Sequence, residues 1–154
     1  MWGRPKAITI AAGSGEGSTE VNAFDRALLA AGIANLNFLR VTSILPAGCR
    51  IVPMRRVPEG TLMPAVYARI TSHVPGERIA AAVGVGFSED SYGVIMEYSH
   101  RGTAENAEQI VRRMVREAFE IRGLRLREVV VESTEHVVER TGCSVAAVLF
   151  WPDD

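Results

Sequence analysis

The sequence predicts an α+β fold, specifically an αββα sandwich in which two β-sheets pack face to face with helices outside. Three observations predict it. The chain alternates strand, helix, several strands, helix and two strands. It holds only two amphipathic helical segments, too few to cover both faces of one large sheet. The strands must therefore also cover one another. The length of 154 residues suits one domain spanning 1–154.

The elements follow in order. Ala7 to Ala12 is a short apolar run rich in β-branched residues and reads as a buried strand. Gly13 to Glu20 reads as a flexible turn. Asn22 to Ala34 has helical spacing through Phe24, Leu28, Leu29 and Ile33, with Asn22 as its cap. Asn35 to Ser43 alternates apolar and polar residues and reads as a second strand. Pro46 and Gly48 break the chain, and Arg50 to Pro53 is a short edge segment. Leu62 to Val74 is a long strand, and Pro75-Gly76-Glu77 a hairpin-type turn. Arg78 to Phe87 and Tyr92 to Tyr98 are two further strands.

The clearest helix follows Thr103. Ala107, Ile110, Val111, Met114, Ala118 and Phe119 form one stripe, and Gly123 stops it. Glu108 with Arg112, and Arg116 with Glu120, mark the opposite face as solvated. Strands around Leu126 to His136 and Ser144 to Trp151 complete the chain.

Composition removes several classes. Seventeen basic residues balance eighteen acidic ones, for a net charge of −1, so bulk charge suggests no nucleic-acid partner and no anionic membrane. No apolar run approaches the roughly 18 residues that span a bilayer. The start, Met-Trp-Gly-Arg-Pro, lacks the apolar centre of a signal peptide. Two cysteines, Cys49 and Cys143, are too few for a disulfide framework, and they read as small core or edge residues in a reducing cytoplasm. Sixteen of the basic residues are Arg and only Lys6 is Lys. Pyridoxal phosphate and lysine-aldolase chemistry need a lysine at the site, so neither is expected.

Other motifs point to little chemistry by themselves. Gly13 to Gly17 lies where phosphate loops sit, but Ser18 breaks the dinucleotide fingerprint and no Gly-Lys-Ser/Thr follows. His73, His100 and His136 have no metal-ligand spacing and read as structural or surface residues, so no metal is expected. Asp25 and Glu97 are carboxylates in apolar surroundings, which read as surface or strand-end residues, as general acids with a raised pKa, or as partners of a cation. Asn37 lies in a mostly apolar strand and needs partners if buried.

Several segments, in one order, resemble the pyruvoyl-dependent arginine decarboxylases. They are A-G-S-G-E-G at Ala12 to Gly17, N-A-F-D-R-A-L-L at Asn22 to Leu29, A-G-I-A-N-L-N at Ala31 to Asn37 and R-V-T-S-I-L-P at Arg40 to Pro46. I-V-P at Ile51 to Pro53, V-P-G-E at Val74 to Glu77, I-M-E-Y at Ile95 to Tyr98 and the C-terminal run Thr141 to Trp151 complete the set. The likeness covers almost the whole chain.

The resemblance implies a proenzyme that cuts its own Thr42–Ser43 bond, giving a short chain 1–42 and a pyruvoyl-bearing chain 43–154. Ser43 becomes the covalent pyruvoyl cofactor, whose keto carbon forms a Schiff base with L-arginine and takes up the electrons left by CO2, yielding agmatine. Glu97 matches the family's proton donor, Asn37 the residue that assists self-cleavage, and Asp25 the partner of the substrate guanidinium. A homotrimer, or a multiple of one, with sites between subunits is implied. Thr42 stands where serine is also common. Gly15 stands where the family often has serine, which bears on specificity if that serine touches substrate. Ser99 to Gly102, poorly matched, reads as a surface turn. Two alternatives remain open at this stage: the same chemistry on another amino acid, and an uncleaved, non-catalytic oligomer that binds small cationic ligands.

Overall fold

The computed structural model describes residues 3–152. Met1 and Trp2, which open the stretch compared with a signal peptide, lie outside the described residues, as do the last two positions. Among the described residues the chain forms nine strands and two helices, arranged as the expected αββα sandwich. Strands β1 (Ala7–Glu16), β2 (Asn37–Arg40), β4 (Arg50–Ile51), β5 (Leu62–Ser72) and β9 (Gly142–Trp151) form one sheet, in the order β2-β5-β9-β1-β4. Strands β3 (Ile44–Leu45), β6 (Arg78–Ser88), β7 (Gly93–Arg101) and β8 (Leu126–Val137) form the other, in the order β3-β7-β6-β8.

The strand alternation sorts the apolar residues into layers. Ile8, Val66, Val83, Val85, Ile95, Val148 and Phe150 fill the space between the sheets. Helix α2 (Ala104–Arg122) seals the outside of the four-stranded sheet with Ala107, Val111, Val115 and Phe119. Helix α1 (Glu20–Ala31) lies on the outside of the five-stranded sheet, through Ala23 and Ala27 against Cys143 and Val145. Both cysteines are buried and free.

Helix α2 begins and ends where its sequence signals stand, with Thr103 accepting from the Asn106 N–H and Gly123 in the left-handed region at φ 66°. Its polar face is less solvated than expected. Glu108 accepts a hydrogen bond from the Ser133 hydroxyl and Arg112 donates to the Val129 carbonyl, so one edge of that face is laid against β8.

Helix α1 corrects two expectations. Its cap is Thr19, not Asn22: the Thr19 hydroxyl oxygen accepts from the Asn22 N–H at 3.1 Å. It also ends at Ala31, where Gly32 turns left-handed and Ile33 N–H reaches back to the Leu28 carbonyl.

The glycine-rich segment is no flexible turn. It continues β1 as far as Glu16. A Cβ at Gly13 would stand 2.5 Å from Ala31 N, and one at Gly17 2.4 Å from Ala23 N. Alternate glycines thus let α1 lie directly on the strand. Gly15 faces the same helix, with its missing Cβ 2.9 Å from Ala27 N, so this position is filled by α1.

Three other segments differ. The second strand is confined to Asn37–Arg40, because Asn35 takes a left-handed φ of 67° before it and the chain leaves the sheet after it. Pro75-Gly76-Glu77 joins no hairpin: β5 and β6 belong to different sheets, and Gly76 N–H is held by the Val138 carbonyl. Ser99 to Arg101 is strand, not turn, with His100 opposite Ala80.

Each histidine has a hydrogen-bond partner. His136 meets Glu16 at 2.5 Å, His73 lies between Thr141 and Glu20, and His100 faces the Thr103 carbonyl. No helix among the described residues is long and apolar enough to cross a membrane.

Candidate active site

The chain changes sheets immediately after β2. Val41 N–H makes the last tie to the five-stranded sheet, at 3.1 Å from the Ala65 carbonyl. Ile44 and Leu45 then pair antiparallel with Val94 and Gly93 in the four-stranded sheet. Thr42 and Ser43 form the bridge.

That bridge is tightly turned. Ile44 N–H donates to the Thr42 carbonyl at 3.2 Å, closing a three-residue turn with Ser43 at its centre. The Ser43 carbonyl in turn accepts from Ile95 N–H at 2.8 Å. Both carbonyls flanking Ser43 are therefore hydrogen-bonded to backbone N–H groups. A donor on the Thr42 carbonyl draws electron density from its carbon and favours addition of a nucleophile there.

Strand β7 presents Glu97 to this bridge. Ile95 points into the space between the sheets, while Val94, Met96 and Tyr98 face α2. Glu97 shares the Ile95 face. Since Ser43 bonds to Ile95, Glu97 lies two residues further along, about 7 Å by strand geometry. Its side chain is 30% exposed, and its Oε2 is buried without a hydrogen bond. Burial pushes the carboxyl pKa above its ordinary value, and the nearby Arg40 guanidinium offsets only part of this.

Arg40, the last residue of β2, carries that guanidinium. It lies 3.8 Å from Glu97 Oε1, donates to the Tyr67 carbonyl at 2.6 Å and stacks 4.3 Å above the Tyr67 ring. Tyr67 itself lies between Phe24 and Phe38. Tyr67 is fixed by this aromatic row, and it fixes Arg40. Sequence reasoning did not single out Arg40; its position inside R-V-T-S-I-L-P was the available signal. It also missed the Ile44 N–H, which no side chain announces.

The structure thus ties the Thr42–Ser43 bridge to β7, the strand that carries Glu97, but does not bring Asn37 or Asp25 to it. Asn37 stands at the far end of β2, and its side-chain amide donates to the Gly60 carbonyl at 3.0 Å. Asp25 is exposed on α1, a helix that packs on β1, β9 and β5 and not on β2, β3 or β7. Among the described residues it makes no hydrogen bond or ion pair.

A cavity of about 770 Å³ opens beside the bridge. Leu39, Val41, Thr42, Ile44, Leu62, Pro64 and Phe150 line most of it. Several of these are apolar and exposed, Leu62 by 60% and Ile44 by 44%. Among the described residues no group of three His, Cys, Asp or Glu is placed to hold a metal.

The fold is an αββα sandwich whose inter-sheet crossing holds a serine in a turn, hydrogen-bonded to the strand that carries a poorly solvated carboxyl. The chain belongs to the pyruvoyl-dependent arginine decarboxylases: the model of that family matches residues 7–154. It is 44% identical over 149 residues to a pyruvoyl-dependent arginine decarboxylase of Methanocaldococcus jannaschii, covering 96% of this chain and 90% of that one. A protein of the same name from Pyrococcus abyssi is 43% identical over 155 residues, covering 98% of both chains. One from Methanococcus maripaludis strain C7 is 40% identical over 149 residues. The cofactor of such proteins is, by the family's name, a pyruvoyl group. Ser43 fits that group, because a serine in a turn with a polarised carbonyl before it contains the three carbons the group needs.

Proposed function

We propose that this chain is a self-processing decarboxylase that converts L-arginine to agmatine and CO2. The observation that carries the reading is the turn at Ser43, in which Ile44 N–H polarises the Thr42 carbonyl. The Ser43 hydroxyl attacks that carbonyl carbon, and the peptide bond gives way to an ester. Elimination releases Thr42 as a carboxylate, and water then displaces the nitrogen as ammonia. Segments 1–42 and 43–154 result, with a ketone at position 43. Asn37 assists the cut.

Once formed, the pyruvoyl group supplies a carbonyl that takes up the substrate amine and a sink for the electrons left by CO2. The remaining work belongs to side chains. Glu97 holds the proton that returns to Cα, and its burial keeps that proton bound at higher pH than an exposed glutamate would. The apolar walls of the neighbouring cavity are exposed in one chain and would exclude water once a neighbouring subunit covers them. Asp25 pairs with the substrate guanidinium through a two-point fork.

Asp25 and Asn37 stand away from Ser43 within one chain, which supports sites completed by a neighbouring subunit. The exposed apolar rim of Leu39, Val41, Ile44 and Leu62 supports the same reading, since such patches mark association surfaces. The assembly we propose is a trimer, or a multiple of one, as the resemblance implies. The reading places the enzyme in the cytoplasm, where the two free cysteines stay reduced.

The test is release of CO2 from carboxyl-labelled arginine, set beside histidine, lysine, ornithine and aspartate. Arginine is expected to be consumed and converted to agmatine, and Ser43→Ala to abolish the reaction. Turnover of another member of the panel in preference to arginine would overturn the substrate, and full activity of Ser43→Ala the mechanism.

A further inference from the structure

We propose that a second cavity of the sandwich binds a small organic monocarboxylate, with its carboxylate between Arg50 and Arg127 and its apolar body against Leu45 and Phe87. This goes beyond the decarboxylation above and does not depend on it.

The cavity holds about 270 Å³. It shares Pro46 with the cavity beside the bridge and no other lining residue among those described. Its floor is the end of the apolar layer between the sheets, where Leu45, Cys49 and Phe87 are all buried. Its rim comes from the far sheet edges. Arg50 lies on β4, the edge of the five-stranded sheet opposite β2, and Arg127 on β8, the edge of the four-stranded sheet opposite β3.

A register shift aims Arg127 at this floor. Phe87 stands opposite Glu128 and Ser88 opposite Leu126, so Arg127 is an extra residue in β8, a β-bulge. Leu126, Val129 and Val131 all pack with the α2 layer, although strict alternation would put Leu126 on the other face from the two valines. The bulge has reset the pleat, and the Arg127 guanidinium lies over the Phe87 ring, 5.5 Å from its centre. Arg50 approaches the floor from the other sheet. Burial pushes the Cys49 thiol pKa up, and the Arg50 N–H and cation pull it down, so that cation stands near Cys49.

Neither guanidinium has a strong partner. Arg50 makes no side-chain hydrogen bond or ion pair among the described residues. Arg127 meets Glu128 at 3.4 Å, and both side chains are 55% exposed, so the pair is worth little. Glu89 and Asp90, between β6 and β7, are held by Arg125. Two cations and one glutamate leave the rim with one positive charge, which one carboxylate balances. Ser88 adds a donor. It lines the cavity, and its buried hydroxyl has no hydrogen-bond partner. A turn about its χ1 offers that donor to a carboxylate in the cavity. Guanidinium groups bind carboxylates with direction, and the apolar floor favours a ligand with a carbon body over a bare hydrated anion.

The experiment is calorimetric titration of the full chain with benzoate, beside neutral benzamide and inorganic phosphate. Benzoate is expected to bind in the millimolar range or below, at least about tenfold tighter than benzamide or phosphate. Arg50→Gln and Arg127→Gln are each expected to weaken it about tenfold, and Arg127→Lys less. Ser43→Ala is expected to bind benzoate as wild type does. No heat from benzoate, equal binding of benzamide or of phosphate, or full affinity in both glutamine variants overturns the inference. Loss of binding in Ser43→Ala overturns it too, because benzoate would then sit at the bridge. If a glutamine variant does not fold, the three-ligand comparison on the wild type still decides. A chain that binds benzoate but never decarboxylates arginine refutes the proposed function and leaves this site standing.

Discussion

Glu97→Gln offers a sharp perturbation of the proposed chemistry. The change is isosteric and removes the titratable proton while keeping a polar head beside Arg40. Oε2 is buried without a partner, so the replacement disturbs no existing hydrogen bond of that atom. Loss of a positioned proton donor costs about 10²–10⁴-fold in rate, equivalent to roughly 3–5 kcal/mol of barrier. Self-cleavage uses the Thr42 carbonyl and the Ser43 hydroxyl, so fragments should still form. The assay is single-turnover CO2 release from labelled arginine, with fragment yield read on the same sample. The pH sign is also fixed. Burial raises the Glu97 pKa, so wild-type turnover falls as pH rises through it, and Glu97→Gln loses that alkaline limb. Folding follows the same sign. A carboxyl with a raised folded-state pKa contributes stability below its unfolded value and loses it as pH rises through the folded one. Glu97→Gln should therefore be more stable than wild type at neutral pH. Turnover within about three-fold of wild type would refute the proton-donor role, because no positioned acid is worth so little.

Other predictions follow from the scaffold. Gly13→Val should destabilise the fold by about 1–3 kcal/mol or more, because its Cβ would meet Ala31 N at 2.5 Å; chemical denaturation checks this. Burial pushes the Glu16 carboxyl up, but hydrogen bonds from His136 and the Arg140 and Glu139 N–H groups outweigh it and leave the pKa below its ordinary value. Its stabilising effect is thus present above the ordinary carboxylate pKa and lost as pH falls through the lowered one, and Glu16→Gln should flatten the acid limb of thermal stability. Burial drives the Cys143 thiol up to about 11, so alkylating reagents should label it at neutral pH only after unfolding. Leu62→Glu should shift sedimentation toward a smaller species, since it places a charge on the exposed apolar rim.

Much of the scaffold was legible because it depends on local signals. The Thr103 cap, the apolar stripe and the Gly123 stop give α2 from sequence alone. Signals with two meanings leave the element undecided. Glycine marks flexibility and close approach alike, and only the placement of α1 shows that Gly13, Gly15 and Gly17 serve the second. Thr19 and Asn22 are both cap formers; the backbone turns helical after Thr19 and decides between them. Pro75 to Glu77 carries turn chemistry whether the chain returns to the same sheet or passes to the other.

The site was legible to a different degree. Ser43 is legible only through resemblance, whereas Glu97 is also marked by its apolar neighbours, and the structure brings their strands together through the Ser43–Ile95 hydrogen bond. The Ile44 N–H has no signature in any side chain. Arg40 looks like an ordinary strand-end arginine until Tyr67 and Glu97 are placed around it. Asn37 and Asp25 were named with the same ease, but one chain does not assemble them with Ser43.

The most direct measurement is the intact mass of the purified protein under denaturing conditions, before and after a carbonyl-trapping hydrazide. The account predicts two species that meet at position 43, the larger one lacking a free amine and gaining one hydrazide. A single full-length mass that incubation leaves unchanged and the hydrazide leaves unlabelled would contradict it.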